Sequence, residues 1–130
     1  MLASDSIVTV PPPPGAPREL LFVACLCAEW CGACREYRPL FEKLAHSAPA
    51  GERHAWIDIE DRAEVLGDLE IETFPTLLIA DAGGAVHFYG SVTPHARTLE
   101  RLVENARRGE LGTVDDPQVV ALARRATALP

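Results

Sequence analysis

The chain reads as an α/β fold: a central mixed sheet of four to five strands with helices on both faces. Three features predict it. Leu20 to Cys27 is an unbroken apolar run, as expected of a parallel strand covered on both sides. A helical stripe of Tyr37, Leu40, Phe41 and Leu44 follows closely. Strand and helix patterns then alternate toward the C-terminus, as in strand–helix–strand units.

Taken in order, residues 1–17 read as a flexible arm. Ser6-Ile7-Val8-Thr9-Val10 has the residues of a short edge strand. Pro11-Pro12-Pro13-Pro14 then enforces extended polyproline geometry, and Gly15-Ala16-Pro17 prolongs the break. The arm reads as a stiff spacer rather than a ligand for a partner domain, since its flanks carry no other recognition feature. The first helix is expected from about Cys31 to Ser47, kinked at Pro39, which removes a backbone donor. After the loop Ala48-Pro49-Ala50-Gly51, Ala55 to Ile59 is a second strand, and Asp61 to Gly67 holds only a short helix. Phe74-Pro75 leads into a third strand, Thr76 to Ala80.

Asp81-Ala82-Gly83-Gly84 is a tight turn, so Ala85 to Tyr89 pairs back as a hairpin that Gly90 ends. Thr93-Pro94 predicts a helix start, with Thr as N-cap and Pro first. Leu99, Leu102, Val103 and Ala106 supply its stripe, and Gly109 stops it. Asp116-Pro117 opens a last helix carrying Val119, Val120, Leu122 and Ala123. A right-handed crossover makes the first two long strands parallel, and the hairpin adds an antiparallel edge. The expected organisation is an arm over 1–17, a domain over 18–110 and a helical extension over 111–130.

Composition narrows the function. A length of 130 residues suits one domain, and a net charge of -7 argues against nucleic acid as a partner. No apolar run approaches the roughly 20 residues a bilayer span needs, so no membrane partner is expected. Met1 to Ser6 shows neither a basic start nor a long apolar segment. We therefore expect no secretory signal and a cytoplasmic monomer. The acidic run from Glu52 to Glu72 reads as a solvated face. His46, His54, His87 and His95 are scattered and read as surface or packing residues.

All four cysteines, Cys25, Cys27, Cys31 and Cys34, fall in one short stretch. A disulfide-stapled fold spreads its cysteines to close long loops, so this cluster marks a local site. Two cysteines three apart can close a small disulfide ring or clamp a metal. Cys31 should sit at a strand-to-helix junction, at the positive helix end that favours a thiolate. Cys34, one turn on, shares its face. Alternation along the strand is expected to send Cys25 and Cys27 to opposite faces, which disfavours a four-cysteine zinc or iron–sulfur site. No metal and no bound cofactor are expected.

Ala28-Glu29-Trp30-Cys31-Gly32-Ala33-Cys34, with Pro39 downstream and Phe74-Pro75-Thr76 before a strand, resembles thioredoxin over roughly residues 19–108. The resemblance implies a thioredoxin fold whose first helix is replaced by the proline-rich arm. It implies dithiol–disulfide exchange on protein disulfides, with a reductase-type electron donor and a role in redox homeostasis. Cys31 would attack and Cys34 would resolve. Pro75 would be a cis-proline facing them, and Trp30, Gly32, Ala33, Phe74 and Gly90 would border the substrate groove.

Departures from that family concern the floor of the site. Ala33 stands where proline is common, which puts the redox potential in question. The buried Asp and neighbouring Lys expected there are replaced by Cys25 and Trp56, two candidate modulators. Cys25 would lie beneath Cys34 and could form an alternative Cys25–Cys34 disulfide; the simpler reading is an inert space-filling thiol. Two other functions stay open. Trp30 to Tyr37 also resembles the C-terminal thioredoxin-like domain of the membrane electron relay DsbD, which would imply electron transport. The missing Asp–Lys pair and the arm are compatible with a non-catalytic binding or chaperone module.

Overall fold

The computed structural model describes residues 21–129. The proline-rich arm and its proposed edge strand lie outside the described residues. Within them the elements are β1 (Leu21–Cys27), α1 (Gly32–His46), β2 (Arg53–Asp58), α2 (Ala63–Leu66), β3 (Thr76–Asp81), β4 (Val86–Ser91), α3 (Ala96–Arg107) and α4 (Pro117–Thr127). Among the described residues the sheet has four strands in the order β2-β1-β3-β4. β1 and β2 run parallel, with Cys25 beside Trp56 and Cys27 beside Asp58. β3 is antiparallel to both β1 and β4.

Side-chain alternation along β1 divides the core in two. Leu21, Val23, Cys25 and Cys27 pack with Tyr37 and Phe41 of α1 and Leu99 and Val103 of α3. Phe22, Ala24 and Leu26 face the other way, onto Val65 of α2 and Val119, Leu122, Ala123 and Ala126 of α4. Every residue of β1 is buried, because helices cover both faces of the sheet. The C-terminal helix is therefore a part of the core. Asp116 caps it by accepting from Gln118 N–H at 2.8 Å, with Pro117 in its first turn. Arg125 donates to the carbonyls of Val65 (2.6 Å) and Leu66 (3.0 Å), tying α4 to α2. Arg53 of β2 donates to the Thr127 carbonyl (2.8 Å) and to that of Leu129.

Three local expectations are corrected. The helix predicted to start at Thr93-Pro94 begins at Ala96 instead, with His95 as N-cap. Val92 N–H is still tied to the Pro75 carbonyl, and His95 N–H closes a tight turn onto Thr93 before Leu99 N–H makes the first helical bond to His95. Gly90 does not end its strand, since it pairs with Leu77 and the ladder runs on to Ser91 opposite Thr76. The acidic run is not uniformly solvated. The Glu52 side chain is buried, and it accepts from Arg107 Nε and Nη2 at 2.8 Å each and contacts His54 Nε2 at 2.7 Å.

That buried cluster gives a pH prediction. Burial alone would raise the Glu52 pKa, but the hydrogen bonds and charges of Arg107 and His54 overcome it and hold the carboxyl down to about 2. A carboxylate depressed in the folded state stabilises it above its unfolded pKa, and this is lost as pH falls toward 2. Glu52→Gln is therefore expected to lower stability by about 2 kcal/mol near neutral pH and to differ little from wild type near pH 2. Urea titrations at both pH values measure this. A deficit of equal size at both would refute the electrostatic origin.

Candidate functional site

β1 delivers the chain to the site and α1 carries it away. After Cys27, Cys31 N–H donates to the Ala28 carbonyl at 3.0 Å, making a tight turn through Glu29 and Trp30. Cys31 is the N-cap of α1, with extended backbone (φ -82°, ψ 121°). Its carbonyl accepts the first helical bond, from Arg35 N–H at 3.2 Å. The N–H groups of Gly32, Ala33 and Cys34 are left without helical partners, a setting that favours negative charge. Cys31 is a half-buried free thiol here. Arg35 is fixed across the turn, donating to the Glu29 carbonyl at 3.1 Å.

Cys34 faces the sheet and is buried. In this structure it is joined in a disulfide to Cys27, with a Cα–Cα distance of 5.9 Å. Cys25 is a free buried thiol whose sulfur lies 3.5 Å from that of Cys27. The expectation that Cys25 and Cys27 point to opposite faces is thus wrong. Strand side chains alternate with a period of two, so residues two apart share a face. The cysteine bonded to Cys34 is Cys27, not Cys25. Converging sulfurs also remove the ground on which a metal site was disfavoured. Two of them are bonded to each other, and among the described residues no group of three or more His, Cys, Asp or Glu side chains is arranged to hold a metal.

Burial pushes the Cys25 thiol far above its ordinary range, so it stays protonated. Trp56 is half-buried, stacked edge-on with Phe41 (5.7 Å between centroids) and covered by the Arg38 guanidinium at 5.3 Å. The floor is therefore sulfur and aromatic ring, without an acid–lysine pair. Beside it opens a cleft of about 570 Å³, lined by Cys34, Arg38, Trp56, Asp58 and Asp61 among others. Tyr37 packs in the same core cluster, its hydroxyl buried with no hydrogen-bond partner among the described residues. Tyr37→Phe removes an unsatisfied polar group, so we expect stability unchanged or raised by up to about 1 kcal/mol in a thermal melt. A clear loss would reveal a partner for that hydroxyl.

The rim is aromatic. Trp30 is 63% exposed and meets Phe74 edge to face, with centroids 5.6 Å apart. Its indole N–H donates to Glu60 Oε2 at 3.0 Å, which orients the ring. The Phe74–Pro75 peptide is cis. Pro75 is buried, and its carbonyl accepts from Val92 N–H at 3.1 Å. Gly90 lies on β4 opposite Leu77, at the end of the sheet that Pro75 enters. Cys31 and Phe74 both pack against the buried cluster that holds Cys25, Cys27 and Cys34. Sequence reasoning gave no role to Cys27; its position two residues from Cys25 was the available signal.

Comparison with known proteins bears on the family and the fold. The family model described as Thioredoxin matches residues 17–107. The putative thioredoxin 2 of Streptomyces coelicolor is 31% identical over 87 residues, covering 67% of this chain and 63% of that protein. Protein disulfide-isomerase A4 of Mus musculus is 30% identical over 83 residues, covering 62% of this chain and 12% of its own length. The chain thus spans less than two thirds of these curated relatives. Among solved structures, Fasciola hepatica thioredoxin superposes with a TM-score of 0.59 at 24% identity, covering 67% of this chain and 81% of that one. The germline-specific thioredoxin Deadhead of Drosophila melanogaster gives 0.59 at 18%, with the same coverage. At such identities these structures establish the fold.

Proposed function

The chain belongs to the thioredoxin family, and on that premise we propose that it is a protein-disulfide oxidoreductase working through Cys31 and Cys34. The observation that carries this reading is Cys31 itself: a free, partly exposed thiol at the N-terminus of α1, beside the exposed ring of Trp30. The Cys31 thiolate attacks one sulfur of a substrate disulfide, and the other leaves as a thiolate. Cys34 then attacks the Cys31 sulfur of the mixed disulfide, which releases the second substrate thiol and leaves a Cys31–Cys34 disulfide. A dithiol donor of the reductase type returns both to thiols. Trp30, Gly32, Ala33, Phe74 and Gly90 border the surface that receives the substrate backbone, with Pro75 buried beneath it. Cys34 exchanges its proton through the adjoining cleft, where Asp58 and Asp61 supply carboxylates. The protein acts as a monomer in the cytoplasm, on the arm-plus-domain organisation given above.

The test is reduction of a disulfide-bonded protein with dithiothreitol as donor. Wild type should turn over, and Cys34→Ser should accumulate mixed disulfides at Cys31. No turnover and no trapped adduct would instead favour a binding module.

A further inference from the structure

We propose that Cys34 has two disulfide partners, and that Cys27–Cys34 is a resting form reached from Cys31–Cys34 by internal exchange. The inference rests on the reading of Cys31 and Cys34 as the exchanging pair. Its basis is geometric. Cys34 is one turn into α1 with its side chain against the sheet, and Cys27 is the last residue of the strand directly beneath. Their Cα atoms are 5.9 Å apart, at the usual separation for a bonded pair, and both residues are only 1% exposed. Cys31 caps the same helix three residues earlier. Cys34 is thus placed between a surface sulfur and a buried one. Cys25 lies in contact with Cys27 but is a free thiol, since the bond from Cys34 runs to Cys27.

The step balances without any external reagent. The Cys27 thiolate attacks the Cys34 sulfur of the Cys31–Cys34 disulfide. The Cys27–Cys34 bond forms as the Cys31–Cys34 bond breaks, and Cys31 leaves with the electron pair as a thiolate at the helix end. The proton lost by Cys27 is matched by the one Cys31 takes up, and no electrons enter or leave. The oxidised bond has moved inward, out of reach of a bulky reductant. Cys31 is a free nucleophile again, but its resolving partner is occupied. A mixed disulfide formed at Cys31 in this state persists until an added dithiol cleaves it or frees Cys34.

Peptide mapping tests the proposal, because Glu29 separates the two cysteine pairs in sequence. Wild type is oxidised with diamide, quenched in acid, alkylated with N-ethylmaleimide in denaturant and cut after glutamate. A Cys31–Cys34 bond stays inside the peptide Trp30–Glu36. A Cys27–Cys34 bond links that peptide to Leu20–Glu29. The linked pair is expected as a substantial species in wild type and in Cys25→Ala, and as the dominant disulfide in Cys31→Ser. It should vanish in Cys27→Val and in Cys27→Ser, the second variant guarding against misfolding of the first. Absence of the linked pair from oxidised wild type, or its survival in either Cys27 variant, overturns the proposal. Those results are independent of turnover. A wild type that reduces substrate but shows only Cys31–Cys34 sinks this inference alone, whereas a linked pair without turnover sinks the enzymatic reading.

Discussion

Serine at Cys31 is expected to lower the rate of protein-disulfide reduction by on the order of 10³-fold or more, while leaving the fold intact. A hydroxyl at this site is not a competent nucleophile toward sulfur, and no other thiol reaches the surface. Cys25, Cys27 and Cys34 are all at or below 1% exposure. A 10³-fold loss corresponds to about 4 kcal/mol of barrier. The fold should not notice, because Cys31 is outside the disulfide found here and makes only partial contact with the core. The measurement is kcat/KM for a disulfide-bonded protein, with an unfolding curve for the same preparation. A variant that keeps the wild-type rate would move the chemistry to the buried sulfurs.

Alanine at Leu122 is expected to cost about 3 kcal/mol of stability, the largest structural effect among the substitutions considered. Leu122 is fully buried, where α4 meets Phe22, Ala24 and Leu26 of β1 across the sheet. Truncating a buried leucine loses the transfer energy of its methyl groups and leaves a cavity, an effect of roughly 2–5 kcal/mol. Urea denaturation gives the number. A loss under about 1 kcal/mol would mean that α4 separates readily from the sheet. The residues matching the thioredoxin family end at 107, before α4 begins. The face that α4 covers is nonetheless apolar along β1 and β3, so the helix is needed to keep it from water.

Much of this was legible in the chain. The unbroken apolar run before Cys31 and the stripe after Cys34 located the strand-to-helix junction, because both periodicities follow from covered faces. Asp116-Pro117 located the start of α4, since its cap is formed by neighbouring residues alone. What was not legible depended on distant partners. Thr93-Pro94 carries the local marks of a helix start, yet the bond from Val92 to Pro75 and the turn at His95 set it two residues later. Glu52 belongs to an acidic stretch by sequence, and only folding brings Arg107 to it. Gly90 looked like a terminator, but pairing with Leu77 needs no side chain. The partner of Cys34 needed both kinds of information. Parity along β1 puts Cys25 and Cys27 on one face, and the tertiary path of α1 decides which of them Cys34 meets.

The alternation of β1 also makes the sheet a partition between two kinds of interior. Every cysteine sulfur lies on the side of α1 and α3, and to the side of α2 and α4 β1 contributes only the hydrocarbon side chains Phe22, Ala24 and Leu26. Oxidation or reduction therefore perturbs one layer of the molecule and leaves the other chemically indifferent. Amide exchange in α4 should be blind to redox state up to the point of global unfolding, whereas protection in the first turns of α1 should follow it. The protein is half responsive and half inert, with the boundary drawn by the odd and even positions of a single strand.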